Sequence, residues 1–550
     1  MGAAPHPHEL PRQQRRVVLA AALGTVFEWY DFYLVGALAS LLAQRFFAGL
    51  GANPAFILAL LAFASGFLVR PFGALLFGRL GDLIGRKYTF LVTILLMGLS
   101  TFTIGLLPTQ DEIGVAAPLI LLLLRLLQGL AMGGEYGGAA AYVAECADAP
   151  HRGAMTGWVQ TAATLGLCLS LLLIQGLRFG LGAERFADWG WRLPFLFSIV
   201  LLGASIWMRL QLPESPAFSA MRQAGRGAKA PLREALGQRA NQRLLLLALF
   251  GLTAGQGVTW YASQFYALLF ITRTLHLDSY DATLLVVSVL LVATPLFRAF
   301  GALSDRVGRK PIILGGCLLS ACTLFPAFYG LTAALNPQLL AAQRNTPVLL
   351  LSDARHCHPL LDPVGFTRAS SACDIAHQLL GTAAVDYRRQ QDAGPTRIRV
   401  GRSEITVFDG SAMSAAEQQD RQAMLEQDLK MALLAAAYPQ QARPGPGGFL
   451  CAWLILLLLS AEAAMVYGPT AAALAELFPT RIRYTSMSLP YHIGNGWFGG
   501  LLPAIAVVLV GLSGNTLAGL WYPVLVAATT ALIGALLLPE TRGRDLQALD

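Results

Sequence analysis

The sequence predicts an all-α membrane protein of twelve helices in two six-helix bundles, with a small α+β domain outside the membrane. Three observations support this prediction. Only 13% of the 550 residues are charged and 55% are hydrophobic, whereas soluble proteins carry about 25% charged residues. The apolar runs are long enough for helices that cross a bilayer, and short charged loops separate them. A ten-residue motif also occurs twice, at the ends of corresponding helices.

Hydropathy places the twelve helices along the chain. We predict them at 17–43, 55–80, 88–108, 117–144, 154–177, 193–212, 243–271, 281–303, 310–334, 449–474, 484–511 and 517–538. The chain then divides into a tail (1–16), the N-terminal bundle (17–212), a basic linker (213–242), helices 7–9 (243–335), an insert (336–447), helices 10–12 (448–538) and a second tail (539–550). Basic residues outside the insert favour loops of one side, so the positive-inside rule predicts that both termini are cytoplasmic.

The first helix contains two acidic residues, Glu28 and Asp31. A carboxylate inside a membrane helix costs roughly 2.5–3.5 kcal/mol on insertion scales. Residues three apart share one face of a helix. We therefore expect the face of Glu28 and Asp31 to meet other helices or a water-filled cavity rather than lipid.

The duplicated motif is Gly-x-x-x-Asp-x-x-Gly-Arg-Lys, and its copies follow helices 2 and 8. The candidate gating residues are Gly78, Asp82, Gly85, Arg86, Lys87, Gly301, Asp305, Gly308, Arg309 and Lys310. Glycines allow a tight turn between packed helices, and we expect each aspartate to pair with an arginine or a helix N-terminus. Such a charge network can hold one conformation and release it in another. Alternatively, the basic residues only fix the topology.

Repeated residues also locate an insertion. The two loops are offset by 301 − 78 = 223 residues, whereas Glu145 and Glu476 are offset by 476 − 145 = 331 residues. The difference, 331 − 223 = 108 residues, approximates the length of an insert between Lys310 and Glu476. We assign the insert to 336–447, the polar stretch between these two positions.

The insert has its own pattern of short elements. A strand at 348–351, a helix at 370–380, a hairpin of 396–400 and 404–408, and a helix at 415–437 predict an α+β domain. Counted from a cytoplasmic N-terminus, the connection between helices 9 and 10 faces outward. In an oxidising compartment, Cys357 and Cys373 form a disulfide or remain two unpaired thiols. A periplasmic partner for 336–447 stays unknown.

Further stretches are typical of one family. They are Glu28-Trp-Tyr-Asp31-Phe32, Gly66-Phe-Leu-Val-Arg70-Pro71-Phe-Gly73, Arg125-Leu-Leu-Gln128-Gly129, Gly133-Gly134-Glu135, Trp189-Gly-Trp191-Arg-Leu-Pro194-Phe and Pro213-Glu-Ser-Pro216. Together with the duplicated loop they resemble the metabolite:proton symporter branch of the major facilitator superfamily, in a subgroup with an enlarged periplasmic loop. The resemblance implies alternating access by two rocking bundles. It also implies proton-coupled import of a small organic acid or zwitterion across a bacterial cytoplasmic (inner) membrane.

Ionisable and polar residues within the helices supply the candidate site. For proton coupling we expect Glu28, Asp31 and Glu135. For substrate binding we expect Arg125, Tyr30, Gln128, Tyr136, Trp260, Tyr261, Gln264 and Asn495. Arg125 binds a substrate carboxylate through its planar fork, or it forms an ion pair with Glu28 or Asp31. Glu462 is a proton site or half of an ion pair, and Arg70 is assigned a structural role.

Several classes of function are disfavoured. The net charge of +8 reflects loop topology and does not indicate nucleic acid. Histidines and cysteines lack metal-ligand spacing, and we find no nucleophile–base grouping of an enzyme. We therefore expect a monomer in membrane lipid that binds a small molecule and protons, with no cofactor beyond that coupling ion. The alternatives are an exporter or uniporter of the same fold, and a sensor that binds a ligand through the insert without transport.

Overall fold

The computed structural model describes residues 12–47, 52–211, 214–225, 227–353 and 370–546. Among these residues, eleven helices are long and apolar enough to cross a membrane, and one bent pair of helices adds a twelfth. We number them as spans 1 to 12: Ala22–Ala37 with Ala39–Phe46, Leu61–Ile84, Arg86–Leu106, Ala116–Cys146, Ala149–Leu181, Arg192–Leu210, Arg239–Thr274, Ser279–Val307, Arg309–Leu335, Pro446–Ala475, Thr480–Ser513 and Ala518–Leu537. The predicted twelve-helix fold is confirmed.

The helix boundaries differ from the prediction at a few places. Span 1 is bent by 61° between its two helices, where a single run was expected. Span 7 begins at Arg239, inside the stretch assigned to the linker. The linker itself contains two short helices, Pro216–Gln223 and Pro231–Gly237. The first of them is capped by Ser215, whose Oγ accepts the N–H of Phe218 at 3.1 Å.

The two ends of the bundle carry different features. The motif copies 78–87 and 301–310 lie at one end, which we call the repeated-loop end. Span 9 begins there, at Arg309, and crosses the bundle to Leu335. The insert follows directly, so it lies at the opposite end, which we call the insert end.

The insert contains a four-stranded sheet. Its strands are β1 (Val348–Ser352), β2 (Tyr387–Gln391), β3 (Arg397–Val400) and β4 (Ser403–Thr406), in the order β2-β1-β3-β4. The apolar strand β1 is central, parallel to β2 and antiparallel to β3. The predicted strand, hairpin and two helices are present, with the helices at Ala372–Thr382 and Ala415–Ala435. A further helix, Pro337–Asn345, was not predicted. Sequence analysis missed β2, because four of its five residues are polar and exposed.

Hydrogen bonds attach the insert to the C-terminal bundle. The N–H of Tyr387 donates to the carbonyl of Gly514 at 2.8 Å, and its hydroxyl donates to the carbonyl of Gly511 at 2.9 Å. Arg389 donates to the carbonyl of Leu512 at 2.7 Å. These three bonds fix strand β2 to the end of span 11.

The predicted disulfide is described only in part. Cys373 is buried near the start of the helix Ala372–Thr382 and is disulfide-bonded. Its expected partner, Cys357, lies outside the described residues, so this pairing stays a prediction.

Two spans depart from regular α-helix. Span 7 contains π-helical turns at Leu249–Thr253, Ala262–Tyr266 and Phe270–Thr274, and span 11 contains one at Ile493–Gly499. Such turns occur frequently at functional sites. They include Gln264 and Asn495, two of the predicted substrate-binding residues.

Candidate functional site

Buried ion pairs join the two bundles at the repeated-loop end. Glu145 of span 4 accepts from Arg483 of span 11 at 3.0 Å and pairs with Arg86 of span 3 at 3.4 Å. All three side chains are fully buried. Because Arg483 belongs to the C-terminal half, these ion pairs connect the two halves.

A second group repeats the arrangement with the halves exchanged. Glu476 of the C-terminal half accepts from Arg152 of the N-terminal half at 2.8 Å and from Arg309 of its own half at 3.1 Å. We call the two groups together the loop-end network: Arg86, Glu145, Arg152, Arg309, Glu476 and Arg483. Removing one partner of a buried ion pair typically costs about 3–5 kcal/mol, so the network holds this end closed.

Asp82 of the first motif copy binds across the halves. Its carboxylate accepts the backbone N–H groups of Tyr484 at 3.2 Å and Thr485 at 3.0 Å, in the first turn of a helix of span 11. It also pairs with Arg86 at 3.2 Å. An anion is stabilised at a helix N-terminus because free N–H groups point at it.

Asp305 of the second copy also binds across the halves, from the C-terminal half to the N-terminal half. It accepts the N–H groups of Gly153 and Ala154, both at 2.8 Å, at the start of the long helix of span 5. It pairs with Arg309 at 2.6 Å. Each aspartate thus contacts both an arginine and a helix N-terminus.

The second glycine of each copy makes the turn between two spans. Gly85 and Gly308 have φ of +117° and +120°, a region that side chains strongly disfavour. The turns are capped by Glu214 and Glu540, which accept the N–H groups of the next two residues at 2.9–3.3 Å. Burial raises the pKa of Glu540, but four backbone hydrogen bonds outweigh it and hold that pKa below its usual value. Glu540 is therefore an ionised cap.

The remaining gating residues also lie at contacts. Lys87 and Lys310 donate to backbone carbonyls near the ends of spans 6 and 12 at 3.0 and 2.8 Å. Gly301 lies against the backbone of Gly153, and a Cβ there would overlap the Gly153 carbonyl. A Cβ on Gly78 would lie 2.9 Å from the Cα of Thr485.

An arginine that sequence analysis missed binds two of the predicted proton-coupling residues. Arg209 of span 6 donates through Nη2 to Glu28 at 2.8 Å and to Glu135 at 2.7 Å. We call these three residues the Arg209 triad. Arg209 is near the end of the sixth predicted helix, where a basic residue is expected at a membrane boundary. The sequence did contain one indication of its role: the acids buried in the N-terminal bundle need a buried cation to balance their charge.

The triad carries more carboxylates than cations. Its two acids share one guanidinium, and Glu135 Oε2 has no hydrogen-bond partner in the described part of the chain. Two ionised carboxylates beside a single arginine leave an unpaired charge in the membrane interior, which is costly. A proton on one carboxylate removes that charge.

The triad is connected to the loop-end contacts by one side chain. Tyr484 of span 11 donates its hydroxyl to the carbonyl of Gly134, the residue before Glu135. The N–H of Tyr484 donates to Asp82. A change at Glu135 therefore has a short path to the contact that joins the halves.

Asp31 has a different environment from Glu28. Glu28 faces spans 4 and 6 through Arg209, whereas Asp31 faces Thr101 of span 3. Asp31 Oδ1 is buried without a hydrogen-bond partner among the described residues. The two acids of span 1 thus have different partners although they are only three residues apart.

Arg125 pairs with neither acid, so the ion-pair alternative for it is wrong. It donates to Gln128 at 2.6 Å and to the carbonyl of Phe63 at 3.1 Å, inside the N-terminal bundle. Gln128 in turn donates to Thr101 at 2.7 Å. The cation that binds Glu28 is Arg209 instead, because span 6 rather than span 4 brings an arginine to that acid.

Tyr30 and Gln128 make their hydrogen bonds within the N-terminal bundle, and their substrate-binding role stays a prediction. The hydroxyl of Tyr30 donates to the carbonyl of Pro194 in span 6 at 2.7 Å. Asn495 exchanges two hydrogen bonds with Gln256 at 2.7 and 3.2 Å, so its amide is already satisfied within the C-terminal bundle.

Aromatic rings meet between the halves at mid-span. Tyr33 stacks between Trp29, with ring centroids 5.4 Å apart, and Trp260, at 6.1 Å. Tyr261 packs edge-on to Phe67 at 5.5 Å. The central cluster consists of Trp29, Tyr33, Phe67, Arg70, Tyr136, Trp260, Tyr261, Gln264, Tyr467, Tyr491 and His492. All of these residues are buried between the two halves.

Arg70 is the cation of the central cluster. Its guanidinium carbon lies 4.2 Å from the ring centre of Phe32, 4.4 Å from Phe67 and 5.2 Å from Trp29. The side chain is fully buried, and its three guanidinium nitrogens have no hydrogen-bond partner among the described residues. These cation–π contacts suit the structural role assigned to Arg70 from the sequence, which stays a prediction. Arg70 forms no ion pair among the described residues, so its charge is also available to a ligand.

Other polar groups of the central cluster are also without partners. These are Trp260 Nε1, Gln264 Nε2 and both ring nitrogens of His492, within the part of the chain that the structure describes. Tyr136 stacks on Tyr491 with centroids 3.3 Å apart, which joins span 4 to span 11. Buried polar groups normally have partners, so the central cluster is the candidate binding site.

Comparison with known proteins identifies the family. The family described as "Sugar (and other) transporter" matches residues 17–243 and 220–341. The chain belongs to this transporter family. Its members are transporters rather than enzymes, in agreement with the sequence prediction. The match ends near the start of the insert.

Curated relatives of this chain have named substrates. It is 34% identical to the proline/betaine transporter of Salmonella typhimurium over 57% of this chain and 64% of that protein. It is 36% identical to the shikimate transporter of Escherichia coli over 58% of this chain and 73% of that protein. The chain thus aligns with less than two thirds of the length of the proline/betaine transporters.

Solved structures share the fold of this chain. The proton:xylose symporter XylE bound to 6-bromo-6-deoxy-D-glucose aligns with a TM-score of 0.58 at 17% identity, over 98% of both chains. An inward-open form of XylE from E. coli aligns with a TM-score of 0.55. At this identity the likeness concerns the fold, which is that of the major facilitator superfamily.

Proposed function

We propose that this chain is a secondary active transporter that couples the import of a small zwitterion or organic acid to proton movement by alternating access. The observation that carries the proposal is Arg70, a fully buried guanidinium that lies against aromatic rings and forms no ion pair among the described residues. A carboxylate of the substrate suits it because the planar guanidinium makes two parallel hydrogen bonds. We assign this carboxylate-binding role to Arg70 rather than to Arg125.

The rings beside Arg70 favour a zwitterion. Tyr33, Trp29 and Trp260 form a stacked group, and aromatic faces attract alkylated ammonium groups. A zwitterion offers its carboxylate to Arg70 and its cationic end to these rings. The named substrates of the relatives, proline and betaine, have this chemistry, whereas shikimate has the carboxylate alone.

The Arg209 triad is the proposed proton-coupling site. With one guanidinium for two carboxylates, it is neutral only when one acid is protonated. Tyr484 connects the carbonyl of Gly134, next to Glu135, to Asp82, so loss of the proton affects a contact that holds the halves together. Asp31 is a second candidate in the same bundle.

Uptake into proteoliposomes tests both assignments. Under an imposed pH gradient, wild type accumulates glycine betaine or proline, and an uncoupler abolishes accumulation. Arg70→Lys raises the KM at least tenfold because an ammonium cannot make two parallel hydrogen bonds. Arg298→Lys is the control, since Arg298 lies over Trp158 at 5.7 Å. An unchanged KM in Arg70→Lys contradicts the substrate assignment.

The proton assignment has its own readout. Glu135→Gln and Glu28→Gln should retain exchange of substrate between equal concentrations while losing proton-driven accumulation. Accumulation that stays at the wild-type level in both variants contradicts the assignment. Efflux down the substrate gradient without proton dependence identifies an exporter or uniporter instead.

We propose that the repeated-loop end faces the cytoplasm of a bacterium and that the insert is periplasmic. The basic motif copies support this orientation through the positive-inside rule. Exposed positions at the two ends suit a labelling test, Ser411→Cys in the insert and Gln223→Cys in the linker. In whole cells an impermeant maleimide should label the first and not the second, and the reverse result overturns the orientation.

A further inference from the structure

Spans 9 and 10 enclose an acid that the proposed transport mechanism does not use. Glu462, in the middle of span 10, is 1% exposed. Its Oε1 lies 2.7 Å from the hydroxyl of Thr323 in span 9, and its Oε2 has no hydrogen-bond partner among the described residues. Glu462 forms no ion pair in that part of the chain, so the ion-pair interpretation of this residue is wrong.

The two contacts of the Thr323 hydroxyl indicate the protonation state of Glu462. Its hydroxyl is 2.9 Å from the carbonyl oxygen of Leu319, one turn earlier in the same helix, and 2.7 Å from Glu462 Oε1. A hydroxyl has one hydrogen to donate, and a carbonyl can only accept. If Thr323 donates to Leu319, the bond to Glu462 needs a hydrogen on the carboxyl group. A hydrogen shared between two acceptors would weaken both contacts, so the two short distances favour a neutral Glu462 that donates its own hydrogen.

The surroundings agree with a neutral acid. Span 10 packs against spans 7, 8 and 9. Titratable side chains in the middle of these spans are Tyr261, Tyr266, Cys317 and Cys322, and none bonds to Glu462 in the described structure. The charged residues Arg298 and Asp305 of span 8 contact span 5 instead. An ionised carboxylate here would lack a counter-charge, which is costly in the membrane interior.

We propose that Glu462 is a second proton-binding site, located in the C-terminal half and held as a neutral acid by Thr323. It is separate from the Arg209 triad, which lies in the N-terminal half. Span 10 also carries Tyr467, whose hydroxyl lies 2.5 Å from that of Tyr491 in the central cluster. Loss of the proton from Glu462 places a charge between spans 9 and 10 and favours their separation, so protonation of this site biases the position of a helix that lines the binding site.

Infrared difference spectroscopy on the purified full-length protein tests the protonation without any transport measurement. The spectrum of wild type minus Glu462→Gln at pH 7 should contain the C=O stretch of a protonated carboxylic acid, shifted in D2O. Gln is isosteric and still donates to Thr323, so the fold is retained. The exposed residue Glu426 supplies the control, because Glu426→Gln should remove only a carboxylate band. A difference spectrum with a carboxylate band alone for Glu462 overturns the proposal.

Thr323 tests the geometry independently. Thr323→Val keeps the shape but removes the acceptor, so the acid band should move to higher wavenumber, while Thr323→Ser should leave it in place. An acid band that is the same in wild type and Thr323→Val overturns the role of Thr323. In proteoliposomes, Glu462→Gln should lower the number of protons moved per substrate. That measurement rests on the proposed function, whereas the spectra do not, so failure of transport and failure of protonation are distinguished.

Discussion

Arg152 donates to Glu476 across the interface of the two halves at 2.8 Å, and Glu476 holds in the second half the place that Glu145 holds in the first. Arg483 corresponds in the same way to Arg152 and pairs with Glu145 at 3.0 Å. The glutamate of each repeat therefore binds the arginine of the other repeat. A single sequence element, duplicated, makes the closing contact twice.

Glu476→Gln should open the repeated-loop end. The change leaves Arg152 and Arg309 without their shared carboxylate, at a cost of roughly 3–5 kcal/mol to the closed state. Labelling of Ser486→Cys, a buried position in span 11, by an impermeant maleimide in inside-out vesicles should accelerate at least tenfold. Glu404→Gln is the control, because Glu404 forms an exposed ion pair in the insert. Equal labelling rates with and without Glu476→Gln would contradict the closing role.

Gly81→Ala should also prevent closure, for a steric reason. A Cβ on Gly81 would overlap the ring of Tyr484, which packs against the backbone of span 2 in the closed state. Accumulation of substrate should fall at least tenfold while the protein remains folded. Gly203→Ala in span 6 is the matched control, since a Cβ there meets nothing within 4 Å. Wild-type transport by Gly81→Ala shows that the Tyr484 contact is not needed.

Replacing the two acids of the Arg209 triad should restore the stability that is lost when Arg209 is replaced. Arg209→Gln leaves Glu28 and Glu135 without a cation, so we expect a loss of about 3–5 kcal/mol in the free energy of unfolding. The triple variant with Glu28→Gln and Glu135→Gln should recover most of this loss, because no buried charge remains. Thermal unfolding in detergent measures both changes. A triple variant less stable than Arg209→Gln alone would show that the residues do not act as a charge group.

The attachment of the insert should weaken in acid through His377. Burial, together with the charge of Arg389, lowers the pKa of His377 to about 4, against about 6.5 in an unfolded chain. Between these values only the unfolded state binds the proton, so the stabilisation falls as pH drops from 6.5 to 4, by up to roughly 3 kcal/mol. Hydrogen exchange at strand β2 measures it, because His377 Nδ1 lies 2.5 Å from the hydroxyl of Tyr387.

His377→Gln removes the titrating group from the insert. The slope of β2 exchange protection against pH should flatten in this variant between pH 4 and 6.5. An equally steep slope in wild type and His377→Gln would assign the acid sensitivity to another residue.

Most of the fold could be predicted from hydropathy and from the internal repeat, because both can be recognised within continuous segments of the sequence. Strand β2 could not, since a sheet edge of exposed polar residues has no apolar alternation. In the site, the acids Glu28 and Glu135 were predicted because a charge inside an apolar run is conspicuous. Arg209 was missed because its position resembles a helix boundary. Choosing Arg70 over Arg125 requires knowing which helix face meets the other half, and this depends on packing between distant segments.

The attachment of the insert has a practical consequence for imaging. The hydrogen bonds from Tyr387 and Arg389 fix it to span 11, and the N–H of Ala442 donates to the carbonyl of His276, between spans 7 and 8, at 2.9 Å. The insert is therefore fixed to the C-terminal half and serves as a marker outside the detergent belt. In electron cryomicroscopy such a marker breaks the pseudo-symmetry of the helices and orients each particle. A fluorophore on it, paired with one on the N-terminal half, would report the rocking angle directly.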